Sequence, residues 1–503
     1  MVAVVHGATL VGVDARRVEV EIELAQGLPF FAIIGLGDAA VQEARFRIQA
    51  AIRAAELELP HKRVTINLAP ASVRKDGAAL DLPMALGLLA AAGHVPPLAL
   101  EQTIAVGELA LSGLLRPVRG VLSVAALAKD TGARRVIVPR GNGAEAACVE
   151  GLEIVALEHL GELVEVLRGE RPIPPVPPAE LRPPEDPLLD LAEVRGQRGP
   201  RRALEIAAAG AHNLLLIGNP GGGKTMLARR LPTILPAPSS EENIEITKVW
   251  SAAGLTLGHN GLSDRRPFRA PHHTISEVAM IGGGSQVRPG EVSLAHRGVL
   301  FLDEMPEFPR RVLETLRQPL EDREVVIARA RHVVKLPAHF MLVGAANPCP
   351  CGWLGHTSGR CLCSNEEVAR YSARLSGALL DRIDLVVEAP TLSVGELLEE
   401  ETGESSAVVR ERVAASRRYA WAERGPQGLR PGMESLKRGL EPAAKKILVD
   451  SLERLRLSAR SVDRSVRVAR TIADLEGSKQ IRPGHLAEAL QFRRPGSWAQ
   501  ETR

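Results

Sequence analysis

Apolar and polar residues alternate over Val18 to Leu24 and again over Arg63 to Leu68, the period of two expected of half-buried strands. From Ala78 to Ala92 the apolar run is too long for a strand and predicts a buried helix. The first third of the chain therefore reads as mixed α/β. Further on, Asn213 to Ile217 is a short apolar strand that enters a glycine-rich turn, and Met226 to Leu235 has helical character. Two more apolar strands follow, Val299 to Leu302 and Phe340 to Val343, separated by a helix over Arg311 to Leu320 and a β-rich stretch from Glu324 to Leu336. Strands that alternate with helices predict a parallel sheet covered on both faces. From Ser405 onward the patterns are helical and arginine-rich, strongest over Leu440 to Leu457 and Val462 to Leu475.

Between the first two regions, Gly169 to Pro187 holds so many prolines that neither a helix nor a central strand persists, which predicts a semi-rigid linker. The expected layout is an α/β domain over residues 1–168, a linker over 169–188, a parallel-sheet core over 189–394 and a helical lid over 395–503. A chain of 503 residues with 45% hydrophobic composition can bury more than one core. No apolar run reaches the roughly 18 residues of a membrane span, and Met1 to Leu10 lacks a basic signal region, so the reading is cytoplasmic with no membrane partner. Five cysteines, four of them between Cys349 and Cys363, exclude a disulfide framework spread over the fold. The net charge is +3, but residues 405–503 hold 21 Lys and Arg against 11 Asp and Glu, a local +10 that leaves −7 elsewhere. Those helices either face a polyanion or present solvated basic faces.

The run Gly218, Asn219, Pro220, Gly221, Gly222, Gly223, Lys224, Thr225 fits G-x-x-x-x-G-K-[ST]. Glycines let successive backbone N–H groups curl around phosphates without Cβ clashes, Lys224 is placed to reach the β- and γ-phosphates, and the Thr225 hydroxyl suits Mg²⁺. ATP and Mg²⁺ are thus the expected cofactors. Val299 to Glu304 is an apolar strand that delivers two adjacent carboxylates where ligands sit in parallel sheets. Asp303 is expected to hold Mg²⁺ through water and Glu304 to act as general base on the attacking water. Asn347, ending the third strand, is placed to sense the γ-phosphate. Arg382, in Leu379-Leu-Asp-Arg-Ile-Asp384, is the candidate arginine finger, supplied to a neighbouring subunit; an ion pair with Asp381 or Asp384 is the alternative.

These motifs lie among others that carry a family resemblance: Val194-Arg-Gly-Gln197, the stretch from Arg202 to Asn213, Pro267 to Thr274, Arg288 to His296, and Ala469 to Leu475. Over nearly its full length the chain resembles the ComM/YifB family of magnesium-chelatase-like AAA+ ATPases. The resemblance implies a homohexameric ring, Asn347 as sensor 1, Arg382 as the finger and Arg460 as a sensor 2 arginine, with Arg464 the second choice. It implies branch migration of DNA in recombination or natural transformation. It also makes Glu324 to Leu336 and Ile281 to Val292 pore-facing loops, so that Arg329, Arg331 and Lys335 offer charge to a phosphate backbone. A solvated hairpin tip is the alternative reading of those three. A chelatase-type motor acting on a protein partner is the rival function.

The first region resembles the ChlI-type, Lon-protease-like fold through Arg74-Lys-Asp-Gly77, Asp81 to Ala85, Val106-Gly-Glu108 and Arg116 to Gly120. Ala79 stands where Lon carries its serine and Leu122 where its lysine is expected, so neither nucleophile nor base is present and the domain is read as non-proteolytic. Finally, Cys349, Cys351, Cys361 and Cys363 place four thiols within 15 residues of a glycine-rich loop. Four sulfurs suit a structural tetrahedral Zn²⁺, with His356 a substitute ligand and reduced, unliganded thiols the alternative.

Overall fold

A computed structural model describes residues 2–176, 189–256, 265–284, 287–328, 333–356, 359–391, 403–425, 429, 432–455 and 459–493. Two sheets organise it. The first has seven strands, in the order Phe30–Ile34, Arg63–Ala69, Asp14–Ala25, Val2–Val11, Thr103–Ala105, Arg135–Pro139 and Glu153–Leu157. Its centre is a long antiparallel hairpin that turns where Val11 faces Asp14. The alternation read from the sequence is the burial observed: Val18, Val20 and Ile22 point inward, Glu19 and Glu23 outward. The expected helix over 78–92 is a 3₁₀ turn, Ala78–Leu80, followed by the α-helix Asp81–Ala91, buried along nearly its whole length beneath that hairpin.

The second sheet is wholly parallel, in the order Phe268–Arg269, Val299–Leu302, Met341–Ala346, Leu214–Ile217 and Leu385–Glu388. Every residue of Leu214–Ile217, Val299–Leu302 and Met341–Ala346 is buried, because helices cover both faces. The first of these strands in the chain lies between the fourth and the last. The connections diverge from it in opposite directions and open a crevice at its carboxyl end.

The expected helix over Arg311 to Leu320 is instead two short ones, Arg310–Thr315 and Arg317–Asp322. Pro319 has no N–H to give the Thr315 carbonyl and its ring crowds that oxygen, so the helix breaks between them. The strands Glu324–Ala328 and Val333–Pro337 form the expected hairpin. Its proposed phosphate-binding residues Arg329 and Arg331 lie outside the described residues, whereas Lys335 Nζ sits 2.8 Å from the Glu324 carboxylate. A second, two-residue-deep hairpin, Gly282–Gly283 with Arg288–Pro289, occupies the other expected loop.

Toward the C-terminus come the helices Ser406–Arg424, Pro442–Leu455, Ala459–Leu475 and Pro483–Gln491. Val466, Ala469 and Ile472 recur at helical spacing and join Ala203, Leu204 and Ala207 of the helix Arg198–Gly210 in one core. Among the described residues, no helix is long and apolar enough to cross a membrane.

Candidate functional site

The crevice at the end of Leu214–Ile217 holds the glycine-rich loop. Gly221 and Gly223 take φ of +80° and +74°, left-handed conformations that a side chain would strain. A Cβ on Gly222 would lie 2.8 Å from the Ala389 carbonyl, so the loop also needs glycine for room. From Gly223 the chain enters the helix Lys224–Ile234, whose first N–H groups and positive end point into the crevice.

Lys224 Nζ donates to the carbonyls of Gly218 and Asn219, at 2.6 and 2.9 Å, and to Asn347 Oδ1 at 3.1 Å. Burial holds its ammonium below the usual lysine range, with Asp303 and Glu304 pulling the other way. The Thr225 hydroxyl donates to Asp303 Oδ2 at 2.7 Å, so two oxygens suited to Mg²⁺ stand together. Residues 225, 303 and 347, far apart in sequence, are thus gathered within one corner around Lys224. Glu304 departs from the strand with φ +49° and ψ +45°, a strained conformation for a residue with a side chain, and its carboxylate is largely exposed.

Two residues at this corner escaped sequence reasoning. His273 lies 4.0 Å from the Glu304 carboxylate and packs edge-on against Phe308. Gln197, at φ +48°, donates its side-chain amide to the Gly222 and Pro390 carbonyls at 3.2 and 2.6 Å, tying the helix Arg198–Gly210 to the loop. Its Oε1 is buried without a partner among the described residues. Both lie in stretches that carry the family resemblance, which was the available signal.

Arg382 does not approach this corner. It precedes Leu385–Glu388, which runs parallel to and beside Leu214–Ile217, so it sits at the amino end of the strands, the opposite end of the sheet from Gly218. Its guanidinium donates to the Ala378 and Arg317 carbonyls at 2.8 and 3.1 Å and pairs with Glu321 rather than with Asp381 or Asp384. Asp384 instead caps the strand edge by accepting from the Asn213 N–H at 2.9 Å and faces Arg464 at 3.5 Å. Arg464 therefore belongs to that same amino end of the sheet. Arg460, one turn earlier on the helix Ala459–Leu475, is exposed.

The four cysteine sulfurs lie within 4.8 Å of one another. Cys349 is 3.3 Å from Cys351 and 3.8 Å from Cys361, and Cys351 is 3.7 Å from Cys361. A tetrahedron with Zn–S bonds of about 2.3 Å has S···S edges near ~3.8 Å, so the donor set fits the metal. Burial pushes the Cys349 thiol up to about 12, whereas the Trp353 N–H pulls exposed Cys351 down to about 6. The loop reaches the phosphate-binding loop directly: Asn219 Nδ2 donates to the Gly352 carbonyl at 2.6 Å.

Comparison with known proteins agrees with this architecture. Residues 190–397 match the family described as magnesium chelatase, subunit ChlI, residues 20–142 match subunit ChlI of Mg-chelatase, and residues 403–493 match its C-terminal part. Competence protein ComM of Haemophilus influenzae is 42% identical over 498 residues, covering 98% of this chain and 97% of its own. The uncharacterized protein YifB of Escherichia coli is 41% identical over 499 residues, with the same coverage. Lon protease 2 of Bacillus subtilis is 31% identical over 116 residues, 23% of this chain and 19% of its own, in keeping with a Lon-like first region. On its near-full-length likeness to ComM and YifB, the chain belongs to the ComM/YifB family of magnesium-chelatase-like AAA+ proteins.

Proposed function

We propose that the chain hydrolyses ATP with Mg²⁺ and uses the energy, as a homohexameric ring, to move branched DNA in recombination. The observation that carries the ATPase reading is the corner in which Lys224, Asn347 and the Thr225–Asp303 pair converge, 3.1 and 2.7 Å apart respectively. Mg²⁺, when bound, offsets charge on the β- and γ-phosphates. Lys224 binds the same phosphates, Asn347 orients the attacking water, and Glu304 takes its proton. Gln197 Oε1 offers a buried acceptor to an amino group such as that of adenine.

The DNA reading draws on the likeness to ComM, whose name assigns it to competence. The basic excess over residues 405–503 supports it, and Arg329, Arg331 and Lys335 are the residues that would meet the phosphate backbone. Arg382 serves the neighbouring subunit as finger, and Arg460 senses nucleotide from the lid. The work divides along the expected boundaries: residues 1–168 bind or assemble, 169–188 link, 189–394 hydrolyse and 395–503 close the site. The test is ATP turnover with forked or three-stranded DNA, alongside a branch-migration assay. Stimulation and migration that both disappear in Lys224→Ala support the motor. Turnover indifferent to DNA but raised by a protein partner favours the chelatase-type alternative.

A further inference from the structure

Hairpin turns that face water are built from residues such as Gly, Asn and Asp. The turn that joins Val2–Val11 to Asp14–Ala25 is Gly12 and Val13, preceded by Leu10 and Val11, so an apolar residue stands at the tip of the first domain's central hairpin. It is covered by the second domain. Val13 is 6% exposed and shares one core with Val249 and Ala252 of the helix Ser240–Ala253 and with Val334 and Leu336 of the hairpin strand Val333–Pro337. Among the described residues, every other buried member of that core comes from position 215 or later.

The packing at the tip is close. Gly12 takes φ +69°, and a Cβ there would stand 2.5 Å from Val334 Cγ1 and 3.1 Å from Leu336 Cδ2. Glycine thus meets both the dihedral of the turn and the lack of room. The Ser123 hydroxyl donates to the Val13 carbonyl at 2.6 Å, and the Gly120 N–H donates to the Ser251 carbonyl at 3.2 Å. The start of the helix Val121–Asp130 therefore ties the turn to the helix Ser240–Ala253.

Leu336 is where the two hairpins expected to face the pore meet. A Cβ on Gly282 would lie 3.1 Å from Leu336 Cδ1, so the Gly282–Gly283 hairpin leans on the same side chain as Gly12. Burial alternates along Val333–Pro337, with Val334 and Leu336 turned in toward the tip and Val333 and Lys335 turned out. The contact that seats the strand also fixes the face on which Lys335 stands. A slip of one residue would reverse both.

We propose that the Gly12–Val13 turn is a fixed seat for these two hairpins and that Val13 is a positioning residue for the motor. It holds the hairpins where ATP turnover is converted into movement of DNA. The inference rests on the DNA-motor reading above, and it gives the Lon-like domain a role in coupling.

The test uses the full chain. Val13→Ser should speed hydrogen exchange of the Glu324–Pro337 amides about tenfold or more, while the helix Lys224–Ile234 stays as protected as in wild type. This measurement needs no DNA. Basal ATP turnover and the KM for ATP should stay near wild type, whereas stimulation by forked DNA and branch migration should fall roughly fivefold or more. Val13→Ile, which stays apolar, should keep most of the coupling. A second variant does not depend on how Val13→Ser folds. The 2.5 Å approach to Val334 Cγ1 puts β-carbons at positions 12 and 334 about 4 Å apart, within disulfide reach. Gly12→Cys with Val334→Cys, oxidised by glutathione disulfide beside a wild-type control, should therefore keep its DNA stimulation. If oxidation abolishes stimulation and reduction restores it, the turn must release, and a fixed seat is overturned. Wild-type exchange in Val13→Ser, or a loss of stimulation matched by an equal loss of basal turnover, overturns it as well. If Val13→Ser loosens the hairpins but wild-type turnover is indifferent to DNA, the motor reading fails and takes the coupling role with it, while the seat stands.

Discussion

The Asn219 side chain, within the phosphate-binding loop, donates to the Gly352 carbonyl at 2.6 Å, between the second and third cysteines of the four-thiol cluster. A Cβ on Gly352 would come within 2.7 Å of Pro220, so the two loops are also closely packed. Whatever orders the cysteine loop therefore orders the floor of the nucleotide site.

The first prediction follows from that pairing. Purified protein should carry about one zinc per chain, and Cys361→Ser should release it. Losing the metal should raise the KM for ATP several-fold, because the loop that braces Asn219 and Pro220 loosens. Metal analysis and steady-state ATPase assays read the two effects separately. Reduced wild-type protein free of zinc would refute the metal site, and zinc loss with unchanged KM would refute the brace.

A second prediction separates binding from water activation. Lys224→Ala should weaken nucleotide binding by about 2–5 kcal/mol, the range for removing one partner of a buried charge pair. Glu304→Gln should keep binding but lower turnover by roughly 10²- to 10⁴-fold, the contribution of a general base. Equilibrium binding of a fluorescent nucleotide beside single-turnover hydrolysis distinguishes them. Equal affinity in Lys224→Ala and wild type would remove Lys224 from the phosphate site.

What the sequence made legible was local chemistry. Gly221 and Gly223 betray the phosphate loop because only glycine tolerates their backbone, and Val18, Val20 and Ile22 betray a strand because burial alternates with the pleat. Likewise, the cysteine spacing pointed to a cluster whose sulfurs do converge. Illegible were partners supplied by folding. Glu321 reaches Arg382 across 61 positions and Ser251 reaches Glu145 across 106, while Asp384, one of the near neighbours that a one-dimensional reading offers Arg382, faces Asn213 and Arg464 instead. His273 beside Glu304 has the same origin, since two adjacent parallel strands deliver them. The broken helix at Thr315 was legible in principle, through Pro319, but the apolar period masked it.

A third prediction concerns pH and the seam between domains. Glu145 accepts from the Leu122 N–H at 2.8 Å and from the Ser251 hydroxyl of the second domain, with Asn142 and Thr256 also contributing, and none of these four partners is a cation. Burial pushes its carboxyl up despite those hydrogen bonds. A raised carboxyl contributes stability that is present below the unfolded-state pKa and is lost as pH rises through the folded-state value. Glu145→Gln keeps an acceptor for Leu122 and removes the charge. It should therefore raise the melting temperature at neutral pH, with the gain over wild type shrinking as the medium is acidified toward about pH 4. A variant that melts lower than wild type at neutral pH, or a difference constant with pH, would show that the ionised form is the one the seam prefers.

The last prediction tests Arg382 as a group that works on its neighbour. Within one chain it lies at the amino end of the strands, the opposite end of the sheet from Lys224, and its guanidinium is engaged by Glu321 and two carbonyls. It cannot reach its own phosphate loop without spanning the length of the strands, so any catalytic role requires a second subunit. Arg382→Ala should leave nucleotide affinity near wild type yet reduce turnover about 10³- to 10⁵-fold, the worth of a finger supplied in trans. Mixing is the decisive step. In a ring containing both Arg382→Ala and Lys224→Ala chains, some interfaces join an intact Lys224 site to an intact Arg382, and turnover should return in proportion to them. Glu321→Ala gives the complementary measurement, since it frees Arg382 from its intramolecular partner and should leave turnover intact or raise it. If mixed rings stay inactive while each variant still assembles, Arg382 acts within its own chain, and its bonds to Glu321, Arg317 and Ala378 become a structural clamp between the helix Arg317–Asp322 and the sheet edge.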